Sequence, residues 1–427
     1  MGILSSAFLS DRSGNFGIMT ALLMVPLVGS AGLALDYAHA LSLRTELYAA
    51  ADAAAVGSIS EKSDAVAAAM TMQGDGTISV AKTDARSIFF SQMSGELTSV
   101  AVNLSIDVTK TANKLNSKVT FSASVPTTFI HILGQDSITI SGSATAEYQT
   151  ASFMDFYILL DNTPSMGVAA TPTDVSKLQA KTGCAFACHQ MDQASNNYTI
   201  AKSLGVAMRI DVVRQATQAL TDTAKTERVS ADQFRMGVYT FGTKAEDAKL
   251  TTISNLTSDL TTVKNYTNAV DLMTIPYQNY NQDQLTSFDS AMTQMNTIID
   301  PAGDGTSNTK PEKILFFVSD GVGDSYKPST CTKKTTGGRC QEPIDTSFCK
   351  PLKDRGVKIA ILYTTYLPLP SNNWYNTWIK PFQNEIPTRM AACASPGLYF
   401  EVSPTEGIAD AMKALFLKVI RAPRLTS

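Results

Sequence analysis

The sequence predicts an α/β protein in which an N-terminal transmembrane helix and a small α+β region precede a doubly wound, mainly parallel sheet. Three observations carry that reading. Residues 16–35 are apolar and uncharged, residues 98–150 alternate apolar with polar positions, and beyond residue 150 continuous apolar runs alternate with amphipathic stretches. At 427 residues the chain exceeds one ordinary core, so a division into 1–57, 58–150 and 151–427 is expected.

The first element is Phe16–Leu35, FGIMTALLMVPLVGSAGLAL. As a helix it spans roughly 30 Å, the thickness of a bilayer core. A cleaved signal peptide or a buried helix are the alternatives. The run is longer than a usual signal core and its helical pattern continues through Asp36, which favours an uncleaved anchor. Asp11 and Arg12 on one side, with Asp36, Arg44, Glu46 and Asp52 on the other, lean towards a cytoplasmic N-terminus and an exported bulk. The alanine-rich stretch Tyr37–Gly57 should continue the helix. Its small residues permit packing against another helix, and high helix propensity explains them equally well.

A further helix is expected over Asp64–Met72, then a turn at Gln73–Thr77 and a mixed segment. SVAVNLSIDVTKT, KVTFSASVPTTFIHIL and SITISGSATAEYQT read as three antiparallel strands split by NKLNS and GQD. No chemistry is visible there, and the region reads as a stalk.

Phe153–Leu160 is a continuous apolar run, as a buried parallel strand should be, and it ends in Asp161-Asn162-Thr163-Pro164-Ser165. Lys313–Ser319 is a second such run and ends in Asp320-Gly321. Ligands bind at the C-terminal ends of strands in open parallel sheets. A carboxylate and two hydroxyls at alternate positions suit a hard divalent cation, Mg²⁺ or else Mn²⁺ or Ca²⁺. For either aspartate alone, capping or turn formation is the simpler role. Strands at Phe234–Phe241, Val357–Thr364 and Gly397–Val402 alternate with helices near Ser203–Lys225, Asp345–Arg355 and Pro404–Arg421.

Composition excludes much else. The net charge of -3 gives no reason to expect nucleic acid, and the three histidines, His39, His131 and His189, are far apart. GxSxG, HExxH, GxxxxGKS/T and a strand-following GxGxxG are absent, so a binding protein is expected, not an enzyme. All six cysteines lie beyond residue 180, which favours disulfides in an oxidising compartment. A local Cys184–Cys188 bridge is preferred over metal or haem, because haem attachment has two residues between its cysteines and this segment has three. Cys331 and Cys340 should close a loop, leaving Cys349 and Cys393. Insertions near 167–202 and 322–345 carry these loops beside Asp161 and Asp320, where they are expected to face a ligand.

The Asp161, Thr163, Ser165 pattern resembles the metal-ion-dependent adhesion site of von Willebrand factor A domains, Asp-x-Ser-x-Ser. Thr163 departs from it by a methyl. The resemblance spans about residues 153–421 and implies a Rossmann-like sheet, with Asp320 reaching the metal through water. It also implies a threonine from LTSFDSAM, assigning Thr286 with Phe288, Ala291 and Met292 as its packing face. Gln284 and Leu285 replace the usual preceding glycines there, and Thr274 is the fallback. A partner's carboxylate would complete the coordination.

Residues 12–57 resemble the TadE/TadG-like proteins of the tight-adherence (Flp-type) pilus system, through RSGNF, the apolar span, ALDYAHAL and LRTELYAAADAAA. A prepilin-type site is absent around Gly14 and Gly17, so processing in the manner of the major pilin is not expected. The long helix followed by a small sheet is by analogy a pilin-like layout, and the resemblance implies a single-pass protein of the bacterial inner membrane with a periplasmic or surface-exposed bulk. The implied function is pilus assembly or minor pilus-associated adhesion, with other pilus-assembly or pilin-like proteins, or a surface ligand offering a carboxylate, as partners. The alternative is an exported metal-dependent scaffold or receptor unrelated to pili.

Overall fold

The apolar run and its alanine-rich continuation form one helix, α1 (Asn15–Gly57), which passes through Pro26 without ending. The computed structural model describes residues 15–421 except 94, 248, 367, 369, 371–372 and 404–406. The chain divides into two compact units, one ending at Thr150 and one beginning at Ala151. Asp11, Arg12 and Gly14, which carry the orientation and lead-in expectations, lie outside the described residues, as does Pro404.

In the first unit, α1 changes character at Asp36. Before it the large apolar side chains are exposed, Val25 by 76%, which fits a single-pass membrane anchor with lipid for its solvent. After it Ala40, Leu43, Leu47, Ala50, Ala51 and Ala54 are buried, a stripe at helical spacing. This face packs on α3 and the sheet. Then follow α2 (Asp64–Thr71), β1 (Gly76–Thr77), α3 (Ser79–Gln92), β2 (Val102–Thr111), β3 (Lys114–Pro126) and β4 (Ser137–Gln149). The strands form an antiparallel sheet in the order β1-β2-β3-β4.

Three details differ from the sequence reading. The mixed segment contains α3, which buries Ala81, Ala85 and Phe89 at a spacing of four and leaves Val80 and Phe90 exposed. NKLNS does not separate two strands: β3 already starts at Lys114, and the chain turns at Ala112, whose φ is 53°. Beyond Pro126 the expected strand gives way to a turn, with a short helical piece at Ile130–Leu133.

The second unit is built on β5 (Met154–Leu160), α4 (Pro172–Thr182), β6 (His189–Gln190), α5 (Asn197–Ser203), α6 (Arg209–Glu227), β7 (Phe234–Thr240), β8 (Thr251–Thr257), α7 (Leu260–Thr267) and β9 (Thr274–Ile275). It continues through α8 (Phe288–Ile298), β10 (Glu312–Ser319), β11 (Val322–Tyr326), β12 (Arg339–Pro343), α9 (Lys350–Asp354), β13 (Lys358–Thr364), α10 (Ile386–Cys393), β14 (Tyr399–Val402) and α11 (Ile408–Ile420). The main sheet runs β14-β13-β10-β5-β7-β8. It is parallel except for β8, which pairs antiparallel with β7 and ends the sheet at one edge. The fold is therefore α/β with a doubly wound, mainly parallel sheet.

Every residue of β5 and β10 is buried because both faces of the sheet are covered. Phe156, Ile158, Phe316 and Val318 join one core with α6 and α11, while Tyr157, Leu159, Leu315 and Phe317 join another with α8 and α10. Asp155 is the one charge inside β5. It accepts two hydrogen bonds from Arg235, both at 2.7 Å, and one from Lys313 at 2.5 Å, so a buried carboxylate is held by paired cations.

The first insertion pairs through β6 with β9, and the second folds back on itself. β11 and β12 pair as a hairpin, tied by Cys331–Cys340, and Cys349–Cys393 joins the start of α9 to the end of α10. Cys349 and Cys393 are 44 residues apart. Replacing both with serine should lower unfolding stability by about 2–4 kcal/mol through loss of the closed loop, read as a lower denaturant midpoint; an unchanged midpoint would contradict it.

Candidate functional site

The site begins where the parallel ladder ends. The Asp161 N–H still donates to the Val318 carbonyl at 3.0 Å, so the last β5 contact fixes the carboxylate's position. Its Oδ1 accepts from the Thr163 N–H at 3.1 Å and the Thr163 hydroxyl at 2.7 Å. Its Oδ2 accepts from the Ser319 hydroxyl at 2.6 Å. The first loop is thus a turn closed on its own aspartate and tied to the end of β10.

Asn162 clamps that loop from behind. Its Nδ2 donates to the carbonyls of Gly242 at 2.6 Å and Asp271 at 3.1 Å, and its Oδ1 accepts from the Phe241 N–H at 3.0 Å. The second loop arrives through Thr286, whose hydroxyl donates to that of Thr163 at 2.8 Å. Thr286 is held there by reciprocal backbone bonds with Asp324, both 2.8 Å. Thr274, the fallback, lies instead on β9, where its N–H donates to the Thr243 carbonyl.

Asp320 follows β10 and is fully buried, as is Asp161. The Val322 N–H donates to its Oδ1 at 3.3 Å and Arg209 Nη1 donates to its Oδ2 at 3.3 Å. Gly321 has φ 74°, and a Cβ there would lie 2.4 Å from Ile386 Cγ2; only glycine makes this turn against α10. Arg209 was not anticipated from sequence. It opens α6 and is itself buried, with its N–H bonded to the Val168 carbonyl at 3.0 Å. That bond and the Ala170 to Ala207 bond close the neck of the first insertion, so the residue resuming after it returns to the site. Ser319 was missed as well, although its position beside Asp320 marks it.

Burial pushes the Asp161 carboxyl up to about 7, and the Asp320 charge adds to the rise, while the Ser319 and Thr163 hydrogen bonds oppose it. Burial likewise raises Asp320, against Arg209. Ser165 lies close enough to Asp320 to favour its charged form, yet its buried Oγ makes no well-formed hydrogen bond. Asp161, Thr163, Ser165, Thr286 and Asp320 thus form an oxygen-only donor set with two carboxyls, a Ser165 hydroxyl lacking a well-formed hydrogen bond, and one guanidinium on Asp320. This set suits a hard divalent cation.

The site opens into a cleft with lobes of about 460 and about 160 Å³, the smaller reaching Ser165 and Thr286. Both insertions contribute walls. Arg339 spans it, holding Asp324 through Nε at 2.8 Å and Nη2 at 2.5 Å while its guanidinium lies 4.4 Å from the Trp374 ring centroid. Cys184 and Cys188 line the larger lobe and are not bridged, contrary to expectation. The segment between them is paired with the first loop, Ala169 to Ala185 and Ala187 to Gly167, which keeps it from the tight turn a bridge over so few residues requires. Cys331, Cys340, Cys349 and Cys393 are bridged as expected.

A raised carboxyl pKa means the folded chain binds more protons than the unfolded chain. Without divalent cations, stability should therefore fall as pH rises from about 4 to about 7. Asp161→Asn should flatten that slope in urea unfolding followed across this range, and an equally steep slope in the variant would assign it elsewhere.

Residues 14–58 match the family model described as "Putative Flp pilus-assembly TadE/G-like". No curated protein sequence matches the chain. Among solved structures, it is similar to the vWF domain of the type V pili tip protein Mfa5 from Porphyromonas gingivalis, at 10% identity over 65% of this chain and 99% of that one, with a TM-score of 0.37. It is also similar to the PilB minor pilin from Streptococcus sanguinis, at 11% identity over 77% of this chain and 79% of that one, TM-score 0.32. A third is proximal thread matrix protein 1 from the mussel byssus with a zinc-occupied MIDAS motif, at 13% identity and TM-score 0.33. The match covers 62% of this chain but only 45% of the mussel protein. The chain opens with a TadE/G-like segment of the Flp pilus-assembly type, and an α/β unit with a doubly wound sheet follows from Ala151.

Proposed function

We propose that this chain is a membrane-anchored, pilus-associated protein that holds another pilus component, or a surface ligand, at the cation site of its von Willebrand factor A-like unit. The TadE/G-like segment and the apolar half of α1 support the anchor and the pilus setting, and the charge balance of the sequence favours, in a bacterial inner membrane, a cytoplasmic N-terminus and a periplasmic bulk. The observation that carries the binding mechanism is the unpaired Ser165 hydroxyl beside two buried carboxylates at the floor of an open cleft.

Asp161, Thr163, Ser165 and Thr286 would hold a Mg²⁺ ion (Mn²⁺ and Ca²⁺ are the alternatives), with Asp320 contributing from the outer side. When bound, the cation supplies an open coordination position that a partner's carboxylate can fill. The chain's own residues do the rest. Ser319 and Asn162 fix the first loop, the Asp324 backbone holds Thr286, and Arg209 keeps Asp320 in place. Arg339 on its Trp374 platform stands in the cleft wall, where a partner would meet it. These are the tasks of a preformed binding site.

Calorimetric titration of the detergent-solubilised chain with Mg²⁺ and Mn²⁺ should show one site, weakened at least tenfold in Asp161→Ala. Crosslinking to pilin-like proteins from the producing cells should fall on chelation. Equal heats in both proteins, or crosslinking indifferent to chelation, would contradict the reading.

A further inference from the structure

The turn between β3 and β4 belongs to the apolar half of α1, not to the stalk. Asp36, the first charge after the apolar run, is 7% exposed. Its carboxylate accepts the N–H groups of Thr128 at 3.1 Å, Phe129 at 2.8 Å and Ile130 at 2.7 Å. The turn is thereby pinned to the helix where its membrane span ends. From that anchor it runs back along the span. Phe129 lies against Gly32, one helical turn before Asp36, so closely that a Cβ on Gly32 would meet Phe129 Cβ at 2.5 Å. Ile132 then reaches the level of Met24, Val25, Val28 and Gly29, with which it and Phe129 line an apolar groove of about 370 Å³. Val28 precedes Asp36 by eight residues, about 12 Å along the helix.

Ile132 is 82% exposed and Phe129 40%, a poor surface to leave in water. The backbone is arranged for a dry setting. Besides the three N–H groups taken by Asp36, Thr127 donates to Asp136, Ile132 to Phe129, Gly134 to His131 and Gln135 to Ile130. Irregular chain survives at membrane depth only when its polar groups are satisfied internally. The only titratable side chains of residues 127–136, His131 and Asp136, bond each other at 2.6 Å.

We propose that residues 128–133 dip into the hydrocarbon of the leaflet that α1 leaves at Asp36, so that lipid acyl chains fill the groove and the anchor is a helix plus a loop. This rests on α1 spanning the membrane. The groove is continuous with the exposed apolar surface of that span. Between Met24 and Gly29 it covers less than two helical turns, a short seat for another chain's helix and an ample one for acyl chains.

The test uses the full chain in nanodiscs of phosphatidylcholine and phosphatidylglycerol, with Cys184 and Cys188 replaced by serine. A fluorophore is placed in turn at Ile132→Cys, Val28→Cys and Val56→Cys, and quenched by lipids brominated along the acyl chain or by aqueous iodide. Ile132 should follow Val28, quenched several-fold more by brominated lipid than Val56 and shielded from iodide. If Val28 is lipid-quenched while Ile132 behaves like Val56, the loop proposal fails and the anchor stands. If Val28 itself escapes lipid quenching, the membrane reading fails and takes the proposal with it. An Ile132 shielded from both quenchers would mean that protein covers the groove, and would also overturn the proposal.

Discussion

Adjacent parallel strands β5 and β10 each deliver a carboxylate to the same buried place, and the rest of the second unit is arranged around keeping two such charges there. The parallel register that pairs Leu160 with Val318 puts Asp161 and Asp320 at neighbouring strand ends. Neither reaches water, so each costs desolvation and each raises the price of ionising the other. Ser319, Thr163 and Arg209 offset part of this. The Asn162 clamp, the close-packed Gly321 turn and the Thr286 to Asp324 pairing all serve to hold oxygen atoms where the chain alone would not gather them. Two buried carboxyls at one place are difficult to explain as a stability device, which is the reason a cation is proposed there.

The fold class was legible because burial on both faces writes itself as unbroken apolar strands, and FMDFYILL and KILFFVS could be little else. The first loop and Asp320 were legible for the same reason, since each follows such a strand directly. The resemblance favoured Thr286 over Thr274, but Gln284 and Leu285 in place of glycines left that choice the least secure. What places Thr286 is the β11 hairpin, a contact made by an insertion far along the chain. Arg209 carried no signal either, because as the first residue of an amphipathic helix it resembles any solvent-facing cation until the neck of the insertion closes. α3 escaped for a related reason: only Ala81, Ala85 and Phe89 bury, and their pattern is faint among Ser, Thr, Asp and Lys. The Cys184–Cys188 expectation failed on backbone pairing that cysteine spacing does not encode.

In the first unit a single aspartate plays the comparable part. Asp36 ends the apolar run in sequence, and in space it gathers the backbone donors of a turn that would otherwise be costly to carry beside a lipid-facing helix. Both units therefore use a nearly buried carboxylate to organise irregular chain. In one the carboxylate is satisfied by backbone. In the other, Asp161 and Asp320 are bonded by backbone, hydroxyls and a guanidinium, beside a buried Ser165 hydroxyl with no well-formed hydrogen bond.

Anomalous diffraction from crystals grown with Mn²⁺ asks whether the oxygen atoms gathered around Asp161 and Ser165 seat a cation. One strong peak is expected within coordination distance of Asp161, Ser165 and Thr286, with Arg209 still on Asp320. No peak at that position in crystals that bind Mn²⁺ elsewhere would contradict it.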